Sequence, residues 1–126
     1  MVSTLRERTL LTMVKLLSCL DSHHISVTGG VKEAYRAYQQ YVRDHGEESV
    51  LPALGYTQAQ LFWLSGASLY CSVYSPAALQ YQILTDPHSP KIYRVNGPFS
   101  NLPEFARDWN CPVGSPMNPA EKCRVW

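Results

Sequence analysis

The residues of this chain that could do chemistry gather in one short stretch. Asp86-Pro87-His88-Ser89-Pro90 sets a carboxylate two residues before an imidazole, and Arg94 follows six residues after His88. A histidine can donate or accept a proton, a carboxylate can orient its ring, and an arginine offers several fixed donors to an oxygen ligand. Taken alone, one histidine in a proline-rich loop is more often a surface or structural residue. Other constellations are weaker. H-E-x-x-H, which would put two metal ligands on one helix face, does not occur. His23 and His24 are adjacent, and adjacent helical residues do not face one site. His45 is followed by Gly46 rather than Glu. Cys71 and Ser72 have no histidine near them in sequence. Cys19, Cys71, Cys111 and Cys123 form no C-x-x-C, and three pairings are open if all are oxidised.

The elements that must position these residues belong to one domain, since 126 residues are too few for two. Hydrophobic residues at 45 % against 17 % charged describe a globular chain and exclude disorder throughout. A net charge of +1 with no basic block leaves no electrostatic footprint for nucleic acid. No apolar run approaches the roughly 20 residues that cross a bilayer.

Residues 1–20 have the basic start and apolar run of a secretory signal, but Lys15 interrupts the run and no small-x-small cleavage site follows. Leu10, Met13, Val14 and Leu17 recur at helical spacing, so an amphipathic helix is the expectation there. Residues 21–30 read as a break punctuated by Gly29-Gly30. A helix is expected over 31–44 with Val31, Ala34, Tyr38, Tyr41 and Val42 on one face, then a loop over 45–55. Thr57 and Gln60 fit a capping box that opens a helix to about Val73. It is apolar almost all round, hence buried. Its Ser65-Gly66-Ala67-Ser68 patch would admit a close neighbour. Ser75-Pro76 opens another helix to about Ile83. Seven prolines from Pro87 to Pro119 predict loops with at most one short helix, near 103–109. A weak strand signal is confined to 91–95. The class is mainly α. A helix apolar on all sides needs surroundings that so short a chain supplies poorly, so the sequence reads as part of a larger body.

Several ordered segments resemble the C-terminal end of the neprilysin family of zinc metallopeptidases, which includes the endothelin-converting enzymes. They are LPALGYTQAQLFWLS at 51–65, Cys71-Ser72, TDPHSP at 85–90, RVNGPFSN at 94–101, EFARDWNCPVGSPMNP at 104–119 and the terminal CRVW. GGVKEAYRAYQ at 29–39 resembles the family's helix after its third zinc ligand. On this resemblance residues 29–126 form a peptidase C-terminal region and residues 1–28 a divergent segment.

The resemblance implies a two-lobed, mainly helical ectodomain around a central cavity. It implies cleavage of small peptides before a hydrophobic residue, and a location outside the cell, with the membrane reached only through an N-terminal anchor that these residues do not include. It casts His88 as the donor to the tetrahedral oxyanion, Asp86 as its orienting or charge-balancing partner, and Arg94 as the arginine that holds a substrate or inhibitor carbonyl and contacts the zinc-site acids. Zinc is the family's cofactor, held by H-E-x-x-H and by the Glu of E-x-x-x-D before the Gly-Gly pair. Counting back from Gly29-Gly30, those two acids fall on His23 and Val27. No zinc is therefore expected on this chain alone, and no hydrolysis. The abrupt loss inside a motif suits an alternative or incomplete transcript. The resemblance also implies partners for Cys71, Cys111 and Cys123 upstream of this sequence, Cys19 being at most a substitute for one. No N-x-[ST] acceptor occurs. The competing expectations are a non-catalytic short isoform and a small helical module that binds peptides or a partner.

Overall fold

A computed structural model describes residues 22–123; the side chains of residues 22–24 and all of residues 1–21 and 124–126 lie outside the description. The expected amphipathic helix at 1–20, the imidazoles of His23 and His24, Cys19 and the final tryptophan fall in that excluded part. Five helices occupy the described residues, with no strand among them. They are α1 (Ser22–His45), α2 (Gln58–Ser68), α3 (Pro76–Thr85), α4 (Lys91–Asn101) and α5 (Pro103–Asp108).

The expected break at 21–30 is corrected: α1 runs straight through Gly29-Gly30. Each glycine costs a helix roughly 1 kcal/mol against alanine, so packing must outweigh propensity here. The helix ends where Gly46, at φ +85°, returns its N–H to the carbonyl of Val42 at 2.8 Å. Only glycine takes that conformation without strain. The inward face also differs from the expected one. Tyr35 is buried, with Val31 and Tyr38 packed beside it, whereas Ala34 and Tyr41 are exposed.

The capping box of α2 is present: Thr57 Oγ1 accepts from the Gln60 N–H at 3.1 Å, and Gln60 Oε1 accepts from the Thr57 N–H at 3.0 Å. The helix stops at Ser68 rather than Val73. There Tyr70 and Cys71 turn their N–H groups back to the carbonyls of Ala67 and Ser68. Only Trp63 of α2 is buried; Leu64 and Leu69 face outward. Ser75 caps α3 through its hydroxyl, with Pro76 at the first position.

The proline-rich stretch holds two helices, not one. α4 replaces both the expected loop and the weak strand signal, and Pro98 lies inside it. Pro98 cannot donate to the carbonyl of Arg94 one turn back, a loss that ordinarily breaks a helix. Complete burial of Pro98 and near-complete burial of Phe99 offset it. The small-residue patch on α2 meets a side-chain tip rather than a closely approaching helix: a Cβ built on Gly66 would stand 3.6 Å from Phe99 Cζ, while α4 packs chiefly on α1. α5 starts with Pro103 and closes in a Schellman arrangement. Cys111 N–H reaches the Ala106 carbonyl at 2.8 Å, Asn110 N–H reaches Arg107 at 3.2 Å, and Asn110 itself takes φ +51°.

The core is aromatic. Trp63 stacks on Tyr35 with ring centres 4.9 Å apart and meets Phe99 and Phe105 edge-on at 5.2 and 5.4 Å. Asp108, its side chain 8 % exposed, ties the polar tips together. Its Oδ2 accepts from Tyr35 Oη at 2.6 Å and from Trp63 Nε1 at 2.9 Å, and its Oδ1 accepts from Arg107 Nε at 3.1 Å. Burial, with the Asp108 carboxylate at its side, holds the Tyr35 hydroxyl well above the ordinary tyrosine range. The tail returns to α4, where Asn101 exchanges two hydrogen bonds with the Cys123 backbone at 2.7 and 2.6 Å.

Candidate active site

Asp86 ends α3, its N–H donating to the Gln82 carbonyl at 2.9 Å. Its Oδ1 then accepts the His88 backbone N–H at 2.9 Å, an Asx-type turn that two intervening bonds can close. The same oxygen stands 2.7 Å from His88 Nδ1. A carboxylate only accepts, so Nδ1 carries the proton. Nε2 is left as the ring atom not engaged by Asp86. It accepts in the neutral ring and donates in the imidazolium. Hydrogen bonds from the His88 N–H and from its ring hold the Asp86 carboxyl below the usual carboxylate range, against a small opposing desolvation and with help from the charges of His88 and Arg94. The pair is open to solvent, with side-chain exposures of 47 % for His88 and 40 % for Asp86.

Arg94 sits in the first turns of α4, directly after this loop. Its guanidinium carbon lies 4.9 Å from the centre of the Tyr70 ring, and its Nε is buried without a hydrogen-bond partner. Asp86, His88 and Arg94 follow one another along a single loop–helix junction, with Arg94 near enough for its charge to help hold down the Asp86 carboxyl. Tyr70 is what sequence reading missed. It carries no local signal, because its meeting with Arg94 depends on how α2 and α4 pack. Beside the junction an open groove of about 790 Å³ runs between the end of α2, α3 and the start of α4. Leu64, Tyr70, Ile83, Ile92 and Val95 make it mostly apolar, and Cys71 and Ser72 lie along it.

Cys71 and Cys111 are free thiols, and Cys123 is disulfide-bonded. Among the described residues no group of three or more His, Cys, Asp or Glu side chains could hold a metal ion. Asp86 and His88 make two candidate ligands, and among the described residues no third His, Cys, Asp or Glu is grouped with them. Among the same residues no helix is long and apolar enough to cross a membrane.

Comparison with known proteins gives this geometry its class. Residues 20–125 match Peptidase family M13. Endothelin-converting enzyme 1 of Bos taurus is 52 % identical over 103 residues, covering 82 % of this chain and 14 % of that protein. Neprilysin-2 of Drosophila melanogaster is 47 % identical over 106 residues, covering 84 % of this chain and 14 % of its own length. Among solved structures, a chain of the Haemonchus galactose containing glycoprotein complex superposes with a TM-score of 0.76 at 38 % identity, over 82 % of this chain and 18 % of its own. The class so defined is the helical metallopeptidases. The chain belongs to peptidase family M13, and it spans about one seventh of the length of the curated relatives it matches.

Proposed function

We propose that this chain supplies the substrate-facing half of a neprilysin-like zinc endopeptidase site. His88 donates from Nε2 to the oxyanion that forms as a peptide carbonyl is attacked. Asp86 fixes the ring and balances its charge in the imidazolium form. Arg94 holds a carbonyl of the bound peptide, and small peptides are the substrates. Bound zinc supplies the activated water in such a site, and its H-E-x-x-H ligands are absent from these 126 residues. The chain alone therefore does not hydrolyse peptides. A donor without a nucleophile to assist has no transition state to bind. The location proposed is the outside of the cell, within a larger peptidase body.

The observation that carries this reading is the Asp86–His88 pair, 2.7 Å apart and solvent-accessible, two residues before Pro90 at the edge of an apolar groove. The first test is the mass of the native protein, read with an antibody against residues 96–126 on reduced and non-reduced blots. A band several times 14.2 kDa is expected. In that product His88→Gln should lower kcat by about 10²–10³ with KM little changed. Zinc-dependent cleavage of a quenched fluorescent peptide by the purified 126-residue chain would overturn the proposal.

A further inference from the structure

We infer that Asn96-Gly97 is a modification site: the Asn96 amide deamidates through a cyclic imide on the Gly97 nitrogen, and α4 holds that reaction in check while the helix is closed. Water is the only co-reactant. The Gly97 backbone nitrogen loses its proton and attacks Asn96 Cγ, the side-chain nitrogen leaves as ammonia, and the imide closes. Water then opens the imide at either carbonyl. Cleavage of the bond to Cγ leaves aspartate on the normal backbone. Cleavage at the Asn96 main-chain carbonyl leaves isoaspartate, whose backbone runs through the former side chain. Glycine after the asparagine favours closure, because no Cβ shields its nitrogen and its backbone turns freely.

Asn96 and Gly97 both lie within α4, which restrains the step in two ways. A helical side chain leans back toward the helix N-terminus, so the Asn96 amide points away from the nitrogen that must attack it. The helix also commits its N–H groups to carbonyls one turn back, which keeps the Gly97 nitrogen out of reaction. Yet α4 is weak at this point. Pro90 at its start gives the first turn no side-chain cap, and Pro98 has no N–H for the Arg94 carbonyl. Glycine is itself a poor helix former. Burial of Pro98 and Phe99 anchors the second half of the helix, so opening falls on the turns before them, which carry Asn96-Gly97.

The other three asparagines are held more firmly. Asn101 exchanges two hydrogen bonds with the Cys123 backbone. The nitrogen that follows Asn110 is that of Cys111, which donates to the Ala106 carbonyl at 2.8 Å. Asn118 is followed by Pro119, whose nitrogen has no proton to lose. Either product at Asn96 puts a carboxylate on the wall of the groove, which Asn96 lines. Isoaspartate also lengthens the backbone inside α4, which breaks the hydrogen-bond register of the helix that carries Arg94. The cost in activity rests on the reading of Arg94 as a carbonyl ligand; the modification does not, and its test uses no peptidase assay.

The experiment is peptide mapping by mass spectrometry of the purified 126-residue chain, incubated at mildly alkaline pH in buffer and in urea. Asn96 should convert ahead of Asn101, Asn110 and Asn118 in both samples, to a mixture of aspartyl and isoaspartyl peptides. In buffer the conversion should be at least about tenfold slower than in urea, because only the open fraction of α4 reacts. Asn96→Gln should remove the isoaspartyl product from both samples, since its longer side chain must close a larger and slower ring. Earlier conversion of another asparagine, or isoaspartate persisting in Asn96→Gln, overturns the site. Equal rates in buffer and in urea overturn the restraint by α4. The urea arm needs no folded protein, so it decides the site even for a variant that does not fold.

Discussion

Two aspartates in this chain each bind an aromatic N–H, and they do opposite work. Asp108 lies in the core, where it accepts from Tyr35, Trp63 and Arg107 and joins α1, α2 and α5. Asp86 is exposed and, among the described residues, its carboxylate accepts hydrogen bonds from His88 alone, two residues away. Both hydrogen bonds to the Asp86 carboxylate are local, so forming that turn orders little chain and leaves the imidazole half-exposed. The Asp108 contacts with α1 and α2 span most of the described sequence and exist only once three helices have met. The first carboxylate serves a site; the second builds the frame under it.

The sharpest way to break this contrast is through the frame. Trp63 is 1 % exposed, stacks on Tyr35 and packs edge-on against Phe99 and Phe105. Trp63→Ala should cost about 4 kcal/mol from lost burial and a residual cavity. In so small a core that should abolish cooperative unfolding in a urea titration. Asp108→Ala should cost about 3 kcal/mol, because it leaves the Tyr35 hydroxyl and the Trp63 indole N–H buried without their acceptor. Denaturant midpoints measured against the wild type check both.

These two residues also show what the sequence could and could not reveal. The capping box at Thr57 and Gln60, the Ser75-Pro76 start and the Pro103 start are local signals, and the structure keeps all three. α4 was illegible because Asn96-Gly97-Pro98 is a breaker by every local rule, and only the burial of Pro98 and Phe99 overrides it. The helical spacing favours Ala34 and Tyr41 over Tyr35, because the burial of Tyr35 depends on an aspartate far along the chain. The Asp86–His88 pair was readable for the opposite reason: a two-residue turn is contained in its own pentapeptide.

A second effect on the frame is set by alkali. The Tyr35 hydroxyl titrates above the ordinary tyrosine value because it is buried beside the Asp108 carboxylate. The folded state therefore keeps a proton that the unfolded state has released. Stability should be at its full value below about pH 10 and should fall as pH rises beyond it. Tyrosinate absorbance should show two of the eight tyrosines ionising late, Tyr38 and, last of all or together with unfolding, Tyr35. Tyr35→Phe should remove the last of these steps and leave that of Tyr38. On the favourable side, Gly30 is a helical glycine whose added Cβ would meet nothing within 4 Å. Gly30→Ala should stabilise the chain by about 0.5–1 kcal/mol, read as a higher urea midpoint.

The smallest global effect belongs to Asp86, and it tests the contrast most directly. Its carboxyl is held below the ordinary range by the His88 N–H and ring, so the sign runs opposite to that of Tyr35. Whatever stability it contributes is present above the unfolded carboxylate value and is lost as pH falls through the lower folded one. The groups are exposed and their attraction is screened, so that loss should not register in a denaturant midpoint. It should register locally. On acidification the His88 backbone N–H and ring resonances should move together as the carboxylate is protonated, while the Trp63 indole resonance stays fixed. Asp86→Ala should reproduce the shifted His88 signals at neutral pH and leave the unfolding curve unchanged. A midpoint displaced as far as that of Asp108→Ala would mean that the loop is part of the frame, and that the separation of architecture from chemistry drawn between the two aspartates is wrong.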